Sequence, residues 1–176
     1  AAELIRSGGT EAQKQKYLPR VAAGEVSAFL LTEPDVGSDP ARLGTSATPV
    51  EGGYLLNGVK LWATNGTVST LLVVMARVPK SEERRGGITA FVVEADSPGI
   101  TVESRNAFMG LRGIENSVTR FHDVFVPDAD VLGGEGRGLK IALTTLNTGR
   151  LSLPAMCVAS ANWCVHVARG WAAERV

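Results

Sequence analysis

Between Ala28 and Val131 the chain holds no single periodicity for long. Short apolar runs alternate with turn chemistry: Ala28 to Thr32, Tyr54 to Leu56, Val59 to Trp62, Leu71 to Ala76, Ile88 to Val93 and Val118 to Val126. Runs rich in Val, Ile and Phe, with no long helical pattern between them, point to a barrel or sandwich rather than a parallel sheet. Asn57-Gly58 stands between two of these runs, which predicts a type I′ hairpin there. Helical patterns bracket this region. Thr10 to Ala23 reads as a helix capped by Thr10, with Glu11 in its first turn and Gly24 past its end. Pro19 is expected to shorten it by a turn. After the flexible junction Gly133-Gly134-Glu135-Gly136-Arg137-Gly138, one helical face carries Leu139, Ala142, Leu143 and Leu146. Pro154 is expected to kink or restart that helix. Beyond it, one stripe holds Val158, Ala161, Val165, Ala168 and Ala172, and another holds Trp163, Val167 and Trp171.

A helix apolar on two faces is normally buried among other helices. This chain offers one other short helix to cover it. The sequence also begins Ala1-Ala2-Glu3 and reaches Val176 with no stop signal. The expectation is an internal fragment of a larger protein whose helical domains are largely missing, with the terminal helix driving association. The chain has 176 residues, enough to bury a core, and 18 basic against 18 acidic side chains. That balance gives no electrostatic case for nucleic acid or an anionic membrane surface. The strictly apolar runs are short, Leu71 to Ala76 ending at Arg77, so no transmembrane segment is expected. Two cysteines build no disulfide framework, which favours a reducing compartment.

Two segments carry candidate chemistry. In Leu31-Thr32-Glu33-Pro34-Asp35-Val36-Gly37-Ser38-Asp39, Gly37 and Ser38 can offer N–H groups and a hydroxyl to phosphate oxygens. Alone, the same residues read first as an ordinary Pro/Gly/Asp turn. In Lys60-Leu61-Trp62-Ala63-Thr64-Asn65-Gly66, a Trp followed by a Thr pairs a flat apolar face with a hydroxyl, which suits a flat aromatic ligand. Alone, it reads first as a core Trp before a turn. Other features read as structural. Gly134-x-Gly136-x-Gly138 lacks the Gly-Lys-Ser/Thr ending of a phosphate loop and reads as a junction. Cys157 and Cys164, with His166 nearby, read as helical core residues rather than metal ligands. His122 reads as structural, and Glu82 to Arg85 as a solvated hairpin tip.

Together the two segments resemble the acyl-CoA dehydrogenase family. Phe29 to Asp39 is similar to its first flavin-contact segment, T-E-P-x-x-G-S-D, and Lys60 to Gly66 to its second, K-x-W-x-T-N-G. The resemblance continues through Gly87 to Pro98, Met109 to Arg112, Phe121 to Pro127 and Leu146 to Arg150. It implies an α+β fold: an antiparallel β-barrel middle domain, 27–132, between the end of an N-terminal helical domain, 1–26, and the start of a C-terminal one, 133–176.

The resemblance further implies FAD as cofactor. Leu31 and Thr32 would bond the flavin ring edge, Ser38 with Gly37 the pyrophosphate, Trp62 with Ala63 the ring face, and Thr64 the region of N5. Ser38, Asn147 and Arg150 would face the acyl-CoA substrate; most members have Asp where this chain has Asn147. The implied reaction is α,β-dehydrogenation of an acyl-CoA thioester, with a Glu as base and hydride transfer to flavin N5. In some branches that Glu immediately precedes the Arg matching Arg150. Here the position is Gly149, so no catalytic residue is assigned within the chain; a small residue there also resembles the very-long-chain branch. The implied partners are an electron-transferring flavoprotein or similar acceptor and further copies of the full-length chain, in bacterial cytoplasm or mitochondrial matrix. An acyl-CoA oxidase on the same scaffold, or a non-catalytic flavin-binding scaffold, are the alternatives.

Overall fold

The computed structural model describes residues 1–175. These divide into two compact units, Ala1–Ala142 and the chain from Leu143 onward. The first opens with two helices, α1 (Ala2–Gly8) and α2 (Glu11–Ala22). Thr10 caps α2 through a reciprocal capping box with Gln13, which satisfies two otherwise orphaned N–H groups. Pro19 does not shorten α2, which runs on to Ala22. The carbonyl it frees belongs to Gln15, which is exposed and has water available.

Eight strands follow: β1 (Ser27–Leu30), β2 (Ser46–Val50), β3 (Gly53–Thr64), β4 (Leu71–Val78), β5 (Gly87–Glu94), β6 (Ile100–Arg105), β7 (Asn116–Pro127) and β8 (Val131–Leu132). They form one sheet in the order β6-β7-β3-β2-β4-β5-β8, with β1 beside β4. Most pairs are antiparallel, as expected, but β1 runs parallel to β4, and β2 touches β4 through a parallel contact at Ser46 and Arg77. The sheet is therefore mixed. A parallel neighbour needs a crossover, and the excursion through β2 and β3 supplies it.

Asn57-Gly58 is not a hairpin turn. β3 runs straight through it, paired with β7 on both sides. The Asn57 side chain instead grips a bulge on β7, accepting the Asp123 N–H at 2.9 Å and donating to the Asp123 carboxylate at 2.9 Å. Gly58 is required because a Cβ there would lie 2.5 Å from the Thr45 hydroxyl. The actual two-residue turn is Glu51-Gly52, with Gly52 at φ +75°, and joins β2 to β3. The strands β2, β6 and β8 lack the apolar runs that mark the others.

One core collects Ala28, Leu30, Ala47, Leu56, Leu72, Val74, Phe91, Val124 and Val126. Contributions from β1, β2, β3, β4, β5 and β7 to one cluster mean that the sheet curls around it, in the manner of a barrel wall. A second core lies on the opposite face of β4 and β5, where Leu71, Val73, Met75, Ile88, Ala90 and Val92 meet Leu4, Ile5, Tyr17 and Ala142. With both faces covered, β4 reads as unbroken apolar sequence rather than alternation. The cover is fastened by polar contacts. Gln13 donates to the carbonyls of Ala129 at 2.7 Å and Val131 at 2.9 Å, and the buried Tyr17 hydroxyl donates to Asp130.

α3 (Gly138–Glu174) begins in the first unit, where Leu139 and Ala142 pack. It passes Pro154 without ending; in an exposed helix water meets the freed carbonyl. The second unit is this helix alone, so nothing within it can bury Trp163, Trp171, Cys157 or Cys164, and all four are exposed. The core placement expected for the two cysteines is not what the structure shows. Nor is the expectation of no membrane-length segment sustained: α3 is long and apolar enough to cross a membrane by length and composition, with a mean hydropathy of 1.3 over 18 residues. Interspersed Ser, Thr, Asn and Gly break apolar runs without adding charge, and a helix from a soluble core passes the same test.

Because Gln13 serves both the capping box and the Ala129 and Val131 carbonyls, Gln13→Ala leaves buried polar groups without partners. It is expected to destabilise the fold by about 1–3 kcal/mol, measured as a lowered urea midpoint with an unchanged denaturant slope.

Candidate functional site

The two motif segments meet side by side. β1 delivers the chain to Leu31, and the Leu61 N–H of β3 donates to the Thr32 carbonyl at 2.8 Å. Just beyond, β3 bulges: Lys60 faces Thr119 and Ala63 faces Ser117, so β3 spends one residue more than β7. Trp62 sits in the bulge at φ +58°, a rare conformation for a bulky side chain. The consequence is a change of phase. Lys60 is buried, Trp62 turns outward to 53% exposure, and Ala63 returns to the core. Bulges re-aim side chains in this way beside functional sites. The Trp62 ring lies near Phe108, with centroids 6.0 Å apart and planes tilted by 31°.

Thr64 ends β3. Its hydroxyl accepts from the Asn116 amide at 3.4 Å, which leaves its own proton available to a ligand. Asn65 takes a left-handed conformation and donates its N–H to the Glu115 carbonyl; at Gly66 any Cβ would run into the Ser117 hydroxyl. The N-G of this motif is thus the tight exit that keeps Thr64 at the strand end. In the first segment, Glu33 and Val36 pair across Pro34-Asp35 in a small turn, and Gly37 and Ser38 follow it, exposed. Among the described residues, nothing accepts from the hydroxyls of Thr32 and Ser38.

Leu31, Thr32, Trp62 and Thr64 therefore come from neighbouring backbone, with Gly37 and Ser38 on the adjoining turn. Ala63 differs from the rest: its methyl belongs to the core, so its backbone alone faces outward chemistry. Asn147 and Arg150 lie one turn apart on α3, exposed, in the second unit. His122 is exposed rather than packed. Arg84 is not merely solvated, since it donates to Tyr54 and Glu135. Glu135 also accepts the Gly86 N–H at 2.7 Å, which pins the glycine-rich junction to the β4–β5 connection.

The feature that motif reading passes over is the contact between Lys60 and Glu33. Lys60 is completely buried, and its Nζ lies 2.7 Å from Glu33 Oε1 and donates to the Leu31 carbonyl at 3.2 Å. Glu33 also accepts N–H bonds from Gly44 at 2.6 Å and Thr45 at 3.0 Å. A signal existed: Lys60 falls on the inward phase of Tyr54 and Leu56, where a cation needs a buried partner. Burial pushes the Lys60 pKa down to about 8, with Glu33 resisting. Burial pushes the Glu33 carboxyl up, but the Lys60 charge and the hydrogen bonds from Lys60, Thr45 and Gly44 outweigh it and hold it below its ordinary value. The asymmetry follows from the partners. Glu33 has three donors around two oxygens, whereas three ammonium protons find two acceptors. The 2.7 Å contact, with donors around both carboxylate oxygens, has the geometry of an ion pair.

Residues 28–124 match the family model described as acyl-CoA dehydrogenase, middle domain. The chain is 66% identical to the probable acyl-CoA dehydrogenase FadE10 of Mycobacterium tuberculosis H37Rv, over 99% of this chain and 27% of that protein. Among solved structures it is similar to a probable acyl CoA dehydrogenase from Mycobacterium abscessus, with TM-score 0.86 and 29% identity over 98% of this chain and 46% of that one. It is also similar to an acyl-CoA dehydrogenase complexed with FAD from Bacillus anthracis, with TM-score 0.77 and 36% identity over 84% of this chain and 25% of that one. The chain belongs to the acyl-CoA dehydrogenase family. It spans 27% of the length of the mycobacterial relative.

Because its pKa is depressed by folding, Glu33 contributes stability that is present above its ordinary value and is lost as pH falls through the lower folded one. Glu33→Gln is therefore expected to flatten the acid limb of the stability–pH curve below about pH 4.5, read from urea midpoints across pH. An acid limb identical in both proteins would contradict this.

Proposed function

We propose that this chain supplies the flavin-edge wall of an FAD-dependent acyl-CoA dehydrogenase. The observation that carries the reading is the joint of the two motif segments: the Leu61–Thr32 hydrogen bond brings the T-E-P turn against the bulge that turns Trp62 outward. The residues fit the cofactor. Thr32 and Ser38 present hydroxyls with no partner among the described residues, and Thr64 retains a donor proton. Trp62 offers an indole face that folding has not consumed. A flat, mostly apolar ring with a polar edge and an anionic tail asks for this set: an aromatic wall, hydroxyl donors along one edge, and N–H groups beside the phosphates. The mycobacterial and Bacillus relatives named above support the same reading.

When bound, FAD supplies the acceptor for the β hydrogen and the electron pair that leave as the Cα–Cβ bond of an acyl thioester becomes a double bond. The chain's own groups bind and orient. Leu31 and Thr32 hold the ring edge, Trp62 covers a ring face and excludes water, and Thr64 donates near the reacting edge. Gly37 and Ser38 hold the pyrophosphate, and Ser38 serves the thioester substrate. Donors fixed in advance at such an edge are worth more than mobile water, because they cost no reorganisation. Position 149 is Gly and takes no proton, so the base is a carboxylate other than residue 149. We propose an electron-transferring flavoprotein or a similar acceptor as the electron partner.

In the full-length protein, Trp62→Ala is expected to weaken FAD binding by about tenfold or more, since stacking of a flat heteroaromatic ring on an indole is worth about 1–3 kcal/mol. The folded state should lose little, because Trp62 is half exposed. Fluorescence titration and thermal melts separate the two effects. Anaerobic bleaching of the bound flavin by a panel of acyl-CoA thioesters tests the activity. Bleaching by none of them in an FAD-replete protein contradicts the dehydrogenase reading, and direct reoxidation by O₂ at the turnover rate favours an oxidase.

A further inference from the structure

Lys60 and Glu33 are absent from the groups assigned to the flavin, and Lys60 is too deeply buried to touch any ligand. Burying two charges is costly, and an apolar pair of the same size often serves a fold as well or better. The pair does something an apolar pair cannot: it ties distant backbone to one point. Lys60 Nζ holds the Leu31 carbonyl and the Glu33 carboxylate, and that carboxylate holds the N–H groups of Gly44 and Thr45. Thr45 in turn accepts the Arg77 N–H of β4 at 2.7 Å. One end of this tether adjoins Thr32. The other lies two residues before Trp62 and four before Thr64, at the root of the bulge.

We infer that Lys60 and Glu33 are positioning residues, whose ion pair fixes the Leu31–Thr32 edge against the Trp62–Thr64 bulge and so fixes how the flavin ring is held. This rests on the flavin reading above. The Leu61–Thr32 bond alone sets one distance between the segments and permits rotation about it. The Lys60 contacts to Leu31 and Glu33 give the same turn two further anchors, one with charge on the donor and one with charge on both partners, and such bonds are shorter and stronger than neutral ones. Neither residue meets the cofactor. Their effect is transmitted through the backbone of residues that do.

The test uses the full-length protein as wild type, Lys60→Met, Glu33→Gln and the double variant. Three quantities are read: the melting temperature, the FAD dissociation constant, and the midpoint potential and visible spectrum of bound flavin at saturating FAD. Lys60→Met strands a buried carboxylate and should lower the melting temperature. The double variant leaves no buried charge and should recover most of that loss. FAD affinity should nevertheless stay weakened by about tenfold or more in both, with the potential and the visible band displaced from wild type. If affinity, potential and spectrum return to wild type together with the melting temperature, the pair is a fold element and the inference fails. It fails equally if folded single variants bind FAD as wild type does. Should Lys60→Met not fold, Glu33→Gln, which keeps the side-chain shape, and the double variant decide the question by the same readings. A wild-type protein that takes up no FAD overturns the flavin reading itself, whereas normal flavin in the variants overturns this inference alone.

Discussion

The buried contact between Lys60 and Glu33 is the constraint on which the site geometry depends. A lysine inside a barrel wall is tolerated because a carboxylate with two further N–H donors faces it, and that carboxylate can be there because the T-E-P turn folds back over β3. The same contact requires β3 to carry Lys60 inward and then reverse phase within three residues, which the bulge at Trp62 accomplishes. Burial of the cation, the left-handed conformation of Trp62 and the exposure of its ring are therefore three aspects of one arrangement. Removing the bulge would send Trp62 and Ala63 to opposite faces from those they occupy, since a one-residue slip exchanges the two faces of a strand.

The rest of the first unit serves to hold this arrangement still. β4 and β5 form a rib buried on both faces, packed on one side by the barrel core and on the other by α1, α2 and the first turn of α3. Gln13, Tyr17 and Glu135 fasten loops that would otherwise move against that rib. A site built at the ends of strands, with donors on a supported turn, is better ordered than one built on free loops.

Much of this was legible in the sequence and some was not, for identifiable reasons. The long apolar runs at Leu71 to Ala76 and Ile88 to Val93 marked β4 and β5 because burial on both faces leaves no polar alternation to confuse. Thr32, Trp62 and Thr64 were singled out by the resemblance of their two segments to family motifs, since their chemistry alone reads first as turns and a core Trp. Asn57-Gly58 misled, since a dipeptide favoured in turns here serves a straight strand, with Asn57 gripping the Asp123 bulge and Gly58 making room for Thr45. Pro19 misled because the carbonyl it frees faces solvent, where losing a helical bond costs less, and for the same reason Pro154 does not end α3. Cys157, Cys164 and the two tryptophans of α3 carried a burial pattern that one helix by itself cannot satisfy. The Lys60–Glu33 pair was visible only as a phase anomaly. Its partner lies 27 residues away, and no local pattern links them.

The account stands or falls on where the flavin ring sits relative to the two segments. A crystal structure of the full-length protein with FAD bound measures this directly. The account predicts the Thr32 and Thr64 hydroxyls within hydrogen-bonding distance of the ring edge, the Trp62 indole against a ring face, and the Lys60–Glu33 contact intact beneath them. A ring bound away from this joint, with Trp62 facing solvent and Thr64 engaged by Asn116 alone, would contradict it.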